Sequence, residues 1–271
     1  MLKQRVLTAL LLLPLALAAI FALSTQWFLL VLAIIMLGGS REYSRLAGLS
    51  GMAAAKILIV LQAVILIVLF TFHNQWGDQI TVSLATSCVL WLLMFIRLPL
   101  FRPGAPVDST YRAISFLTAI ISVTTGWFAL GWIHSQTDGP WLILLLLLIV
   151  WAADTGAYFA GRAFGKRKLA KHISPGKTIA GLFGGLIAAP LVALSAVSLM
   201  PLTGPGPGRL VLLALVTALV SVGGDLLISL HKRISGFKDS GNLLPGHGGI
   251  LDRVDSLLAA APFFALGLLL L

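Results

Sequence analysis

The sequence predicts an all-α polytopic membrane protein, with about nine transmembrane helices around a polar cavity on the cytoplasmic side. Three observations predict it. Hydrophobic residues make up 59% of 271 positions and charged residues only 10%, with a mean hydropathy of +1.02; a soluble domain carries about a quarter charged residues. Apolar runs close to membrane length recur from end to end. The cations then fall almost entirely on one side of those runs.

A helix needs ~20 residues to cross about 30 Å of hydrocarbon. Nine runs approach that length, at roughly 6–23, 26–39, 55–72, 80–97, 113–133, 141–160, 178–200, 209–230 and 256–271. The first has the basic start and apolar core of a secretion signal. It lacks a small-x-small cleavage site, and further spans follow, so it reads as a retained helix. Only Ser24, Thr25 and Gln26 separate it from the second, which predicts a tight helical hairpin or a partly re-entrant pair. No internal repeat stands out. Cys88 is the one cysteine, which excludes an internal disulfide and a CxxC metal site and leaves a small buried apolar residue. Residues 1–271 read as one membrane domain, with 1–140 mainly scaffold spans and 141–271 the catalytic half.

Charge placement supports the span count. With the N-terminus inside, eighteen of the nineteen Lys and Arg residues fall on the cytoplasmic side and only Arg209 outside. The net charge of +10 is therefore topology signal and attraction to anionic lipid headgroups, with no nucleic-acid partner implied. The outer loops, FHNQWGDQ, IHSQTDGP and PLTGPGPG, are short and nearly uncharged. Two inner segments, Arg162–Lys177 and Lys232–Arg253, mix cations with acids or histidine, which plain topology does not need.

The first lies in WAADTGAYFAGRAFGKRKLAKHISPGKT. Asp154 interrupts a long apolar helix, and a carboxylate at that depth is a functional candidate by default. SPGKT resembles the end of a phosphate-binding loop but lacks the full GxxxxGK[ST] spacing and its preceding strand. The mechanics survive: Ser174, the Gly176–Lys177 backbone and the Lys177 ammonium could hold phosphate oxygens at the start of the next helix. A basic topology loop ending in a Ser-Pro helix start explains the same residues.

The second is the long polar stretch SLHKRISGFKDSGNLLPGHGGILDRVD, residues 229–255, held between hydrocarbon flanks. Such a chain must lie at a membrane surface or line a wet cavity. Asp225, Ser229 and Lys232 share one helical face by their spacing, so Lys232 could pair with Asp225 as a structural ion pair. Asp252 and Asp255 stand three apart at the start of the last helix. Acids in this number beside cations suggest a divalent metal with phosphate. Mg²⁺ takes one or two protein carboxylates, several waters and phosphate oxygens. Asp225, Asp239 and Asp252 could supply ligands, and Lys232, Arg233, Lys238 and Arg253 could neutralise phosphate. His247, between glycines, fits a general acid or hydrogen-bond donor and fits a turn residue equally. Zinc lacks a His/Cys cluster.

The stretch 229–255 resembles the signature of the phosphatidate cytidylyltransferase (CDP-diacylglycerol synthase) family, S-x-x-K-R-x4-K-D-x-G-x2-L-P-G-H-G-G-x2-D-R-x-D. Every fixed position is met, including Ser229, Lys232, Arg233, Lys238, Asp239, His247, Gly248, Gly249, Asp252, Arg253 and Asp255. DTGAYFAGRAFGK and SPGKT resemble the family in the same order. His231 and Ala180 are atypical, an apolar residue and a Glu or Gln being expected there. The resemblance implies attack of the phosphatidate phosphate on the α-phosphorus of CTP, giving CDP-diacylglycerol and pyrophosphate. It implies Mg²⁺ on Asp225 and Asp252, with a second cation left open, substrate contacts at Asp154, Ser174, Lys177, Ser229, Gly248, Gly249 and Asp255, and a homodimer. It places the enzyme in a bacterial cytoplasmic membrane, with N-terminus and site cytoplasmic. A secondary transporter would show paired halves and midplane charge. A CDP-alcohol phosphotransferase would show DGxxAR. A CTP-using lipid kinase shares the nucleotide and the membrane site.

Overall fold

The computed structural model describes residues 2–202, 206–243, 246 and 248–271, with their side chains except those at 2–7, 9, 78 and 197. Ten helices follow in order: α1 (Leu2–Ala22), α2 (Thr25–Leu46), α3 (Ala53–Thr71), α4 (Ile80–Phe95), α5 (Arg97–Leu100), α6 (Ser109–Ser135), α7 (Gly139–Phe164), α8 (Ile179–Leu199), α9 (Pro207–Ile234) and α10 (Leu251–Leu270). A 3₁₀ turn, His73–Gln79, joins α3 to α4. Among the described residues, eight segments are long and apolar enough to cross a membrane: α2, α3, α4 with α5, and α6 to α10. The ninth, α1, is helical over 21 residues, its apolar part being Leu10–Ala22. The protein is an all-α integral membrane protein.

Several helices outrun the apolar runs. The second continues to Leu46, the ninth to Ile234, and the last begins at Leu251. Those added turns hold Arg41, Glu42, Arg45, Lys232, Arg233, Asp252, Arg253 and Asp255, while Asp154 and Asp225 lie within the apolar runs. Exposed apolar side chains such as Val60, Val64 and Ile67 on α3, and Phe183, Ile187 and Leu191 on α8, form lipid-facing surface. Inside, Trp91, Trp127, Tyr43 and Phe264 fill the core. The Trp127 indole donates to the Leu29 carbonyl and that of Trp91 to the Thr125 hydroxyl, both at 3.0 Å, whereas the buried Tyr43 hydroxyl has no hydrogen-bond partner among the described residues.

Two departures from the sequence reading concern the basic segment after α7. Residues Lys168–Ala170 (β1) and Ser174–Thr178 (β2) form an antiparallel hairpin, Lys168 opposite Thr178 and Ala170 opposite Ser174. Ser174-Pro175 therefore does not start a helix. The next helix begins at Ile179, capped by Thr178, whose Oγ1 accepts from the Gly181 N–H at 3.0 Å. A lone hairpin is marginal in water. This one is anchored by buried Ile173, packed with Leu226 and Leu230 of α9.

The helices α7 and α8 pack backbone to backbone. A Cβ added at Gly184 would lie 2.3 Å from the Ala160 Cβ and 2.6 Å from the Gly156 carbonyl oxygen. Small residues are what allow such approach in a membrane, where packing rather than water expulsion drives association. Gly184→Ala is expected to lower the thermal midpoint in detergent, overpacking costing about 1–3 kcal/mol. Gly39→Ala in α2, where a Cβ meets nothing within 4 Å, is expected to leave the midpoint unchanged or raise it. Equal effects would contradict the seam.

Candidate active site

At one end of the bundle, acids and lysines from four elements interlock. Lys177 Nζ of β2 lies 2.6 Å from Asp225 Oδ2 of α9. Ser229, one turn on, donates to Asp225 Oδ1 at 3.0 Å. Lys232 Nζ lies 2.8 Å from Asp252 Oδ1 of α10. The shared face of Asp225, Ser229 and Lys232 is present, but the expected Lys232–Asp225 pair is not: Asp225 takes Lys177 and Lys232 takes Asp252. The helix end turns Lys232 toward the last helix, while the hairpin delivers a different lysine.

Asp154 of α7 joins this array, with Lys177 and Asp225 acting on it electrostatically. It lines a cavity of about 290 Å³ together with Tyr158, Gly176 and Lys177. Asp255 is buried, accepts from its neighbour Ser256 N–H at 2.7 Å, and lies within the fields of Asp225, Lys232 and Lys177. Among these six residues four carboxylates face two ammoniums, a formal charge of −2.

Asp252 is held from two sides. Its Oδ2 accepts from the backbone N–H groups of Ser240 at 2.8 Å and Gly249 at 3.1 Å, opposite the lysine on Oδ1. Gly248, at φ +84°, sits in the left-handed region that favours glycine. This gives the glycines of the signature a structural role around the carboxylate.

Glu42 of α2 is the functional residue that sequence reasoning missed. It is 5% exposed. Its Oε1 accepts from Ile250 N–H at 3.0 Å and its Oε2 from Leu251 N–H at 2.8 Å, so it caps α10 from another helix. The Ser240 hydroxyl lies 2.8 Å from Glu42 Oε2 and 3.0 Å from Asp252 Oδ2, bridging the two carboxylates. A Cβ at Gly241 or Gly249 would come 2.3 or 2.2 Å from the Glu42 oxygens. Only Gly fits beside that carboxylate. The available signal was an acid within GGSREYSRL, a helix end otherwise carrying only cations.

His231, atypical in the sequence, is fully buried beneath the site. Its Nε2 lies 3.4 Å from Arg97 Nη1, and its Nδ1 lies 3.0 Å from Tyr111 Oη and 3.3 Å from Ser115 Oγ. A guanidinium can only donate, so Nε2 accepts and the ring proton resides on Nδ1. Tyr111 in turn donates to the Leu46 carbonyl at 2.8 Å. The chain of bonds fastens the end of α9 to α6 and α2, one residue before Lys232.

The remaining predicted residues lie around this centre. Arg233 donates through Nε to the Ile173 carbonyl at 3.0 Å, tying α9 to the hairpin. Lys238, Asp239 and Arg253 are exposed at the rim, and Ser174 is half-buried in β2. Asp239 has its Cβ near Gly248 but, among the described residues, makes no ion pair. His247 lies outside the described residues.

Among the described residues no three His, Cys, Asp or Glu side chains converge as a ligand set. The donor chemistry nonetheless suits a hard divalent cation. The groups are carboxylates and a hydroxyl, the array is formally −2, and Mg²⁺ needs only one or two protein carboxylates beside water and phosphate. In this arrangement Lys177 and Lys232 occupy the oxygens that such an ion would share.

Glu42→Ala leaves three donors without their buried acceptor, at a cost of about 1–3 kcal/mol. Faster hydrogen exchange is expected at the amides of Ile250 and Leu251, together with a lower thermal midpoint. Unchanged exchange there would contradict the capping role.

A match to the Cytidylyltransferase family spans residues 3–271. A phosphatidate cytidylyltransferase of Haemophilus influenzae is 37% identical over 281 residues, covering 98% of each chain. One of Pseudomonas aeruginosa is 39% identical over 266 residues, covering 98% of this chain and 96% of the relative. One of Bacillus subtilis is 45% identical over 124 residues, covering 45% of each. With a match running through both halves of the bundle and relatives similar over nearly their full length, the chain belongs to the Cytidylyltransferase family.

Proposed function

We propose that this chain transfers the cytidylyl group of CTP to phosphatidate, giving CDP-diacylglycerol and pyrophosphate, at the cytoplasmic face of a bacterial inner membrane. The observation that carries the reading is the interlocked array of Asp154, Lys177, Asp225, Lys232, Asp252 and Asp255 at one end of an apolar bundle. The full-length family match and the names of the relatives support the substrates. A site on helix ends is open to a water-soluble nucleotide and to a lipid headgroup alike.

In this reaction a phosphate oxygen of phosphatidate forms a bond to the α-phosphorus of CTP, and the bond from that phosphorus to the bridging oxygen breaks. The nucleophile is already an anion, so no dedicated base is required. The barrier lies in bringing two polyanions together, and positioning with charge stabilisation carries the catalysis. Lys177 and Lys232 are held by Asp225 and Asp252 in fixed positions from which their ammoniums can turn to phosphate oxygens. Lys238, Arg233 and Arg253 add cations at the rim for the pyrophosphate. Asp225 and Asp252 would hold Mg²⁺, with Asp239 the third carboxylate of the set; when bound, the ion neutralises phosphate charge and fixes its orientation. Asp154, in the wall of the neighbouring cavity, and Asp255, buried beside Asp225, complete the set as substrate contacts.

The test uses detergent micelles containing phosphatidate, Mg²⁺ and CTP labelled at the α-phosphorus. Label is expected in the lipid phase with wild type and to fall by ~10²-fold or more with Asp252→Asn, the scale for losing a key charge-stabilising group. Label from γ-labelled CTP is expected to stay aqueous. Lipid-phase γ-label would instead make the chain a kinase, and aqueous α-label with wild type would overturn the reading.

A further inference from the structure

A second cationic site lies outside the array just described. A cavity of about 720 Å³ opens between α2, α3 and the loop 240–243. Arg41, Arg45 and Lys56 line it, along with Glu42 and Ser240. Among the described residues, none of these three cations makes an ion pair. The Arg45 guanidinium stacks on the Phe237 ring, 4.0 Å from its centroid, which fixes its direction.

The arrangement is unfavourable when empty of a counterion. Arg41 and Arg45 are four apart on one helix, a spacing at which like charges repel. Lys56 stands in the opening turn of α3, where the helix dipole disfavours a cation. The one acid in the wall offsets one of these charges but makes no ion pair with them, because both Glu42 oxygens are bonded to Ile250, Leu251 and Ser240. Three cations against one carboxylate leave the cavity formally at +2.

We propose that this cavity binds a phosphate-bearing anion, at a site separate from the Asp225–Asp252 centre. The size and the guanidinium pair suit a phosphate monoester, phosphodiester or pyrophosphate. Met52, Ile57 and Val60, chain neighbours of its lining residues Gly51, Lys56 and Ile59, are exposed apolar side chains, so the headgroup of an anionic phospholipid and a soluble phosphate are both chemically served. The site is also coupled to the centre. Its floor includes Ser240, the residue that bridges Glu42 to Asp252, so an occupant that orders loop 240–243 steadies the Asp252 carboxylate.

The experiment measures binding to the purified full chain in neutral detergent, with dioctanoyl phosphatidylglycerol, inorganic pyrophosphate and dioctanoylglycerol as separate probes. Wild type is compared with Lys56→Gln and with Arg41→Gln/Arg45→Gln/Lys56→Gln. Saturable binding of an anionic probe is expected, weakened about tenfold or more in the triple variant, as the loss of charged contacts of ~1.5–3 kcal/mol predicts. The single variant is expected to show a smaller loss, which keeps the test intact if the triple variant fails to fold. Weakening confined to phosphatidylglycerol assigns a lipid headgroup; weakening confined to pyrophosphate assigns a soluble phosphate. Affinities unchanged in the variants, or equal binding of dioctanoylglycerol, overturn the proposal. In Asp252→Asn protein the arginine-dependent binding is expected to persist, whether or not the chain turns over phosphatidate. Its disappearance there would place the anion at the central site and overturn the separate one.

Discussion

Ionised side chains gathered at the end of an apolar bundle are costly without partners, and the pairing of lysines with carboxylates from different elements organises this end of the protein. Exposed lysines and carboxylates can rely on water; those at the end of a membrane bundle cannot. Each charge-bearing bond of the centre therefore also ties elements together. Lys177 with Asp225 joins the hairpin to α9, Lys232 with Asp252 joins α9 to α10, and Glu42 joins α2 to the start of α10. Breaking one partner away leaves a charge without compensation, so the site and the fold at this end of the molecule are the same set of interactions.

The backbone obeys the same requirement. The last helix starts at the buried Leu251, where its first N–H groups need acceptors within the protein. Its N-cap residue Ile250 has no side-chain oxygen to offer, and Glu42 supplies the acceptors instead. Glycines at 241 and 249 make room for that carboxylate. A residue from the first half of the chain is thereby built into the support of the loop that precedes α10, and Ser240 carries the connection on to Asp252. Beneath it, the neutral His231 spreads the Arg97 charge into a chain of hydroxyls that ends on a helix carbonyl.

The cations form two populations with different electrostatics. Lys177 and Lys232 are paired with acids and held in direction, which suits groups that must meet a phosphate at a defined point. Arg41, Arg45 and Lys56 face a cavity that holds one carboxylate for three cations, which suits the capture of an anion from outside. Both populations lie at the end of the bundle where the sequence gathers most of its lysines and arginines. At the other end Arg209 of α9 donates to the Leu271 carbonyl at the close of α10.

Much of this was legible in the sequence, and for identifiable reasons. Transfer of apolar residues out of water is local and additive, so composition alone determined an all-α membrane bundle, and run lengths placed its helices to within a few residues. Charge bias separated the two ends, and the spacing in residues 225–255 marked the acids and cations of the site. Tertiary structure decided what depends on residues far apart in the chain. Which lysine meets which carboxylate depends on where a hairpin docks, and Lys177 lies 48 positions from Asp225. The hairpin itself is too short and too rich in Pro and Gly to show a strand period. Glu42 reads as one charge among arginines until α2 is laid beside α10, because an acceptor is recognised by the unsatisfied donors it faces. Those donors come into being only when the last helix begins.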